Sequence, residues 1–316
     1  MFLKKNHNAS ALVSALFITA LAAVLAIAIM VAQHILIHES SVVIATDQLY
    51  LDLQSMQQAE MASVTRYANK EKLQTQFPHV LLGDTTLTGT IENEQGKFNL
   101  NDLVYPANQP RFVILLQTVL PTLPHAQCQQ IAEAITAWLT GDSKQNSYYF
   151  SLHPPYRPAG QLMVNTSELR LVANVNAEIY NALAPYITAL PVQLPAVTPG
   201  DKKSTQQAVQ SPIDVNGVSA PVLLTVNPSL SLAQAETVIR CRDQFGGFTS
   251  MDTFETDCEA PFQISGLSGL KTRSQYFLGV AYAKTGDDVA RLKSLLVTAP
   301  QKDNTLKAVL VWQSFE

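Results

Sequence analysis

The stretch SALVSALFITALAAVLAIAIMVAQHILIHESSVVIATDQLYLDLQSMQQAEMASVTRYAN, residues 10–69, decides the fold. Ala11 to Ala32 is almost wholly apolar, and no charged residue lies between Asn8 and Gln33. A helix needs about 20 such residues to cross a bilayer core. Beyond it Ile35, Leu36, Val42, Val43, Leu49, Leu53, Met56 and Met61 recur at spacings near three, four and seven, the period of one helix face. No proline precedes Pro78 and no glycine precedes Gly83, so nothing interrupts a helix between Ser10 and about Asn69. At 1.5 Å per residue this is a rod roughly 90 Å long, apolar all round in its first third and amphipathic in the remainder.

Lys4 and Lys5 precede the apolar run and predict a cytoplasmic N-terminus. A secretory signal peptide would have an apolar core of roughly 7–15 residues and then a cleavage site. Here the run is longer and no turn follows it. Two readings remain: a plain membrane anchor, or a pilin-like signal whose short basic leader is removed while the apolar helix stays. The unbroken continuation into an amphipathic half favours the second.

Outward from the rod, the whole chain has 316 residues, 47% apolar and 15% charged, with net charge −4. That excludes a disordered chain, and the slightly acidic balance disfavours a protein built to hold nucleic acid. Three cysteines are too few for a disulfide-built scaffold. Pro78 and Gly83 are expected to end the rod. Thr85 to Leu103 alternates around Asn93-Glu94-Gln95-Gly96 and reads as a β-hairpin. Helical patterns follow at Arg111–Leu120, Ala126–Leu139, Thr166–Val172, Asn176–Tyr186, Val218–Leu224 and Ser231–Asp243. Between them, residues 147–160 form an aromatic, proline-rich ordered loop and residues 190–211 a linker. Tyr276–Ala283, Leu292–Thr298 and Leu306–Trp312 read as antiparallel strands. The fold class is α+β: a long N-terminal helix packed on an antiparallel sheet, with a large inserted all-helical domain. The expected divisions are 1–9, 10–70, 71–103, 104–270 and 271–316.

In that frame the chain resembles the minor pseudopilin K family of type II secretion systems. The likeness rests on Asn8-Ala-Ser-Ala-Leu-Val13, Gly96-Lys-Phe-Asn-Leu-Asn101, Ile135-Thr-Ala-Trp-Leu-Thr-Gly-Asp142 and Pro155-Tyr-Arg-Pro158. It continues through Glu168-Leu-Arg-Leu-Val172, Asp214-Val-Asn216 and Gly246-Gly-Phe248. The resemblance implies a leader of residues 1–9, cleavage between Ala9 and Ser10 by a prepilin peptidase, and N-methylation of Ser10. Ala9 departs from the glycine usual before the cut. The fifth mature residue is Ser14, where major pilins carry a glutamate. A buried glutamate in a membrane needs a charged partner, so a subunit lacking it suits a fibre end.

The family likeness further implies an inner-membrane, single-pass protein with a periplasmic head. Its partners would be the minor pseudopilins I and J and the inner-membrane secretion platform. Its role would be to initiate or cap the fibre and support export of folded proteins. A type IV pilus tip subunit is the alternative. In a periplasmic segment Cys241 and Cys258, 17 positions apart, are expected to pair, while Cys128 is expected to be a buried small hydrophobe. The family's association with calcium makes Asp243, Asp252 and Asp257 candidate Ca2+ ligands, with a solvated acidic loop as the bland alternative.

Residues 211–254 also resemble a helix-hairpin-helix DNA-binding unit, a second alternative. However, only Arg240 and Arg242 are basic there, and acids follow them, so no nucleic acid is expected. No catalytic set emerges. The six histidines lack metalloprotease spacing, and there is no nucleophile elbow, P-loop or CxxC, so no enzyme is expected.

Overall fold

The structure, a computed structural model, describes residues 7–141, 146–192, 210–267, 269–286, 288–301 and 305–316. Most of the expected leader, Asp142 and most of the expected linker lie outside the described residues. Helix α1 runs from His7 to Ala68, 62 residues without a break. It stops where Lys70 adopts a left-handed backbone with φ of 77°. The rod therefore ends at Ala68, well before the first proline, Pro78.

Pro78 does not terminate the helix. It lies within strand β1, Gln76–Leu82, on the edge of the sheet, where a residue lacking an N–H is tolerated. The register slips between Phe77 and Val80. Strand β1 turns at Gly83-Asp84 into β2, Thr85–Asn93, and Leu82 pairs with Thr85 across that two-residue connection. The hairpin is thus β1–β2, not the one expected across residues 93–96. Those residues leave the sheet: a 3-10 turn spans Glu94–Gly96, and β3, Phe98–Asn99, pairs in parallel with β4, Ile187–Thr188, inside the insert.

The insert begins with helices α2, Gln109–Val119, and α3, His125–Thr140. The aromatic loop contains a short helix, α4, Asn146–Phe150. A capping box from Asn165 to Glu168 opens a 3-10 turn at Thr166–Leu171, and Asn176 caps α5, Ala177–Leu183. The second half of the insert holds β5 (Ile213–Asp214), α6 (Ala220–Val226), α7 (Leu232–Phe245), α8 (Met251–Phe254) and β6 (Leu270–Lys271), with β5 and β6 paired in parallel. The insert is helical apart from these two short pairings. One continuous core, with Phe98, Phe112, Leu116, Ile131, Ile135, Tyr149, Leu223 and Phe254 fully buried, runs through both halves.

The chain returns in three long strands, β7 (Tyr276–Thr285), β8 (Asp288–Pro300) and β9 (Leu306–Phe315). The five-stranded order is β1-β2-β7-β8-β9, antiparallel throughout. Strand β2 pairs with β7 across some two hundred residues of sequence, so the insert enters and leaves at one place.

Candidate functional site: spine, sheet and helical insert

The described residues contain one helix long and apolar enough to cross a membrane, and none of its most apolar window is buried. Leu12, Leu16, Phe17, Leu21, Leu25 and Ile29 all face outward. About 20 residues of hydrocarbon-compatible helix stand clear of the head. Ser14, the fifth residue after the expected cut, lies in this projecting part.

The second half of α1 docks on the sheet through Leu53, Met56, Gln57, Glu60 and Val64, all buried and all on one helix face. Gln57 Nε2 donates to Ser294 Oγ at 2.6 Å and to Gln313 Oε1 at 2.9 Å, which fixes the spine against β8 and β9. Glu60 is fully buried, and neither carboxylate oxygen has a hydrogen-bond partner. Burial pushes its pKa up to about 8, so at neutral pH the group is a neutral acid. Two glycines make room for it. A β-carbon on Gly89 would stand 2.8 Å from Oε1, and one on Gly279 would overlap Oε2. At the end of the spine Arg273 donates to the carbonyl of Tyr67, with its guanidinium 4.7 Å from the ring centre.

A polar knot joins sheet and insert at that same end. Asn93 Nδ2 donates to Asp214 Oδ2 at 2.7 Å. Gln95 Oε1 accepts from Lys271 Nζ at 2.8 Å and from the backbone N–H of Gln275 at 2.6 Å. Lys97 Nζ pairs with Glu94 at 2.7 Å, and Thr188 donates to the same carboxylate. Asp102 accepts from the N–H of Ser211 at 2.9 Å and from its hydroxyl at 2.7 Å, while burial lifts its pKa to about 6. These bonds hold β2, β7 and both halves of the insert in one arrangement.

In the second half, Asn216 Nδ2 donates to the carbonyls of Phe248 and Thr272, both at 2.8 Å, and its Oδ1 accepts from the N–H of Phe248 at 2.7 Å. The Asp214-Val-Asn216 and Gly246-Gly-Phe248 segments are therefore two sides of one structural staple. Phe248's hairpin N–H is engaged internally, as is Arg242, whose Nη1 donates to the carbonyls of Val215 and Val218. These are not groups offered to phosphate. Cys241 and Cys258 are joined by a disulfide with a Cα separation of 5.7 Å, and Cys128 is a buried free thiol.

The calcium candidates Asp243, Asp252 and Asp257 sit on three successive elements. Among the described residues no three His, Cys, Asp or Glu side chains converge into a ligand set. Asp243 pairs with Arg242 at 2.7 Å, and Asp252 and Asp257 lie in successive short helical turns without a shared centre. Sequence reasoning also passed over Glu60 and the polar knot. Glu60 carries a weak signal as one of two acids, with Asp52, on the buried face of the docked half. The knot carries none, because its members are scattered over residues 93–275.

A long, partly projecting helix seated on an antiparallel sheet is the architecture of a pilin-like subunit, here with a large helical insert. A family model described as type II secretion system (T2SS), protein K, matches residues 96–192, and a second with the same description matches residues 213–280. Type II secretion system protein K of Aeromonas hydrophila is 32% identical over 244 residues, 71% of this chain and 69% of that one. That of Pectobacterium carotovorum is 24% identical, covering 68% and 67%. The crystal structure of the GspK-GspI-GspJ complex from the enterotoxigenic Escherichia coli type 2 secretion system matches with a TM-score of 0.61 at 19% identity. It covers 86% of this chain and 96% of that one, a likeness of fold.

The chain belongs to the type II secretion system protein K family. That family is one of pseudopilins, structural subunits of protein transport rather than known enzymes, and the apolar helix fits a single-pass inner-membrane anchor.

Proposed function

We propose that this chain is the tip subunit of the type II secretion pseudopilus, where it initiates and caps the fibre and supports export of folded proteins across the outer membrane. A prepilin peptidase cuts between Ala9 and Ser10, and Ser10 is N-methylated. The N-terminus starts cytoplasmic, the head is periplasmic, and the inner-membrane platform assembles it with the I and J minor pseudopilins. The divisions at residues 9, 70, 103 and 270 separate leader, spine, head and insert.

The observation that carries this reading is the direction of the insert. Strand β2 begins beside the part of α1 nearest the apolar run and ends, at Asn93, beside Tyr67 and Asp214. The insert therefore springs from the end of the sheet remote from the membrane, over the surface where a following subunit would stack. The absence of an acid at Ser14 supports a terminal position, since no neighbour's N-terminal amine is neutralised there. The test is to mix a soluble head beginning at Ile35 with the I and J heads. A ternary complex in gel filtration is expected, and failure of any complex to form would overturn the reading.

A further inference from the structure

The base of the head, opposite the insert, carries a groove. It lies between the membrane-proximal part of α1 and the turns joining β1 to β2 and β7 to β8. Its volume is about 620 Å3, and its lining includes Ile44, Leu49 and Leu82 with Asp52, Asp84 and Asp288. Ile44, Leu82, Val80 and Val289 are all exposed, an apolar surface that solvent alone leaves uncovered. Every charged residue lining the groove is acidic.

The helix wall offers no counter-charge. Between Lys5 and Arg66 the sequence holds no Lys or Arg, whereas Glu39, Asp47 and Asp52 lie on the membrane-proximal part of that span. The shape is that of a helix seat. The α1 residues lining it, from Ser41 to Asp52, follow one stripe at helical spacing, and a second helix packs along such a stripe with its aliphatic residues at i, i+3, i+4 and i+7.

We propose that this groove binds a cationic amphipathic helix, one presenting Lys or Arg beside an aliphatic stripe, from a neighbouring subunit of different sequence. A second copy of this chain does not fit, because its own spine would bring acid against acid. An anionic bilayer does not fit either. Ile44 lies about 18 Å along the helix beyond Ala32, more than the Debye length of about 8 Å, and the acids facing it repel phosphate headgroups. The identification of the occupant as a neighbouring subunit rests on the fibre role proposed above; its chemistry rests on the groove.

The test uses the full-length chain in phosphatidylcholine nanodiscs and a fluorescent synthetic helix of leucine and lysine. An isomer with glutamate at every lysine position and phosphatidylglycerol vesicles serve as comparisons. The lysine helix binds, and the surface variant Asp84→Lys/Asp288→Lys binds it about tenfold or more weakly, as expected for lost charge complementarity. Ile44→Ser, on the exposed side of a continuous helix, weakens it without charge change. Equal binding of both helices, unchanged affinity in the charge-reversed variant, or preference for the vesicles would overturn the proposal. The same charge-reversed chain separates the two readings. If it assembles with I and J as the unaltered chain does, the groove proposal falls and the fibre role stands. If the unaltered chain fails to assemble but still binds the lysine helix, the fibre role falls and the groove stands.

Discussion

The carboxyl of Glu60, in the docked half of α1, fills the space that a side chain on Gly279 of β7 would need. Helix and sheet are therefore fitted to each other at a point where a charge-capable group meets bare backbone. The energetic consequence is specific, because the carboxyl has no hydrogen-bond partner to compensate its burial.

Gly279→Ala should destabilise spine docking by about 1–3 kcal/mol, the usual cost of overpacking. Gly286→Ala, at a turn with nothing within 4 Å of the added carbon, meets no such obstruction and is penalised only through its φ of 60°. Urea unfolding of the soluble head, followed by tyrosine and tryptophan fluorescence, checks the difference.

Glu60 also sets a pH dependence. Its folded pKa, about 8, lies above the ordinary value of 4.5, so the folded state favours the protonated form. The associated stability is complete below about pH 4.5 and is lost as pH rises through about 8, with an upper bound of about 5 kcal/mol at 1.36 kcal/mol per pH unit. Beside the Glu60 carboxyl the sheet presents Gly89 of β2 and Gly279 of β7, which carry no titratable side chain to offset this. Glu60→Gln should flatten the profile between pH 5 and 8, measured as the denaturation midpoint at several pH values. A profile unchanged by the substitution would contradict the assignment.

Asp102 acts in the same sense over a lower window. Burial raises it from 3.8 to about 6, so its contribution is lost as pH rises through that interval. Asp102→Ala should loosen the junction with Ser211, since two donors lose their acceptor. Hydrogen exchange at Ser211 reports it.

Asn216→Ala removes three hydrogen bonds that tie β5 to the glycine hairpin and to Thr272. A loss of about 2–4 kcal/mol is expected, because the groups left behind are partly buried. The second half of the insert should show it first, as raised proteolysis between residues 213 and 271.

Reduction of the Cys241–Cys258 bond should lower stability by roughly 3 kcal/mol in the chain-entropy account of a loop this length. The buried Cys128 thiol should stay unlabelled by iodoacetamide until the chain unfolds, which mass mapping of the alkylated peptides resolves.

The sequence by itself determined the spine, most helices of the insert and the three C-terminal strands. Each depends on patterns repeating within a few residues: the apolar period of the spine and insert helices and the alternation of the last three strands. Pairing was not local and was not legible. Nothing near Asn93 says that its strand joins β7 rather than folding back, because the choice is made by Tyr276–Thr285 nearly two hundred residues on. Strand β1 was hidden by Pro78, whose missing N–H costs nothing at an edge that only the finished sheet defines. The tertiary structure alone decided that the acids after Asp243 stay apart, that Asn216 staples a hairpin, and that Glu60 is buried against glycine. Such outcomes depend on which surfaces meet, and surfaces meet only after distant segments have been brought together.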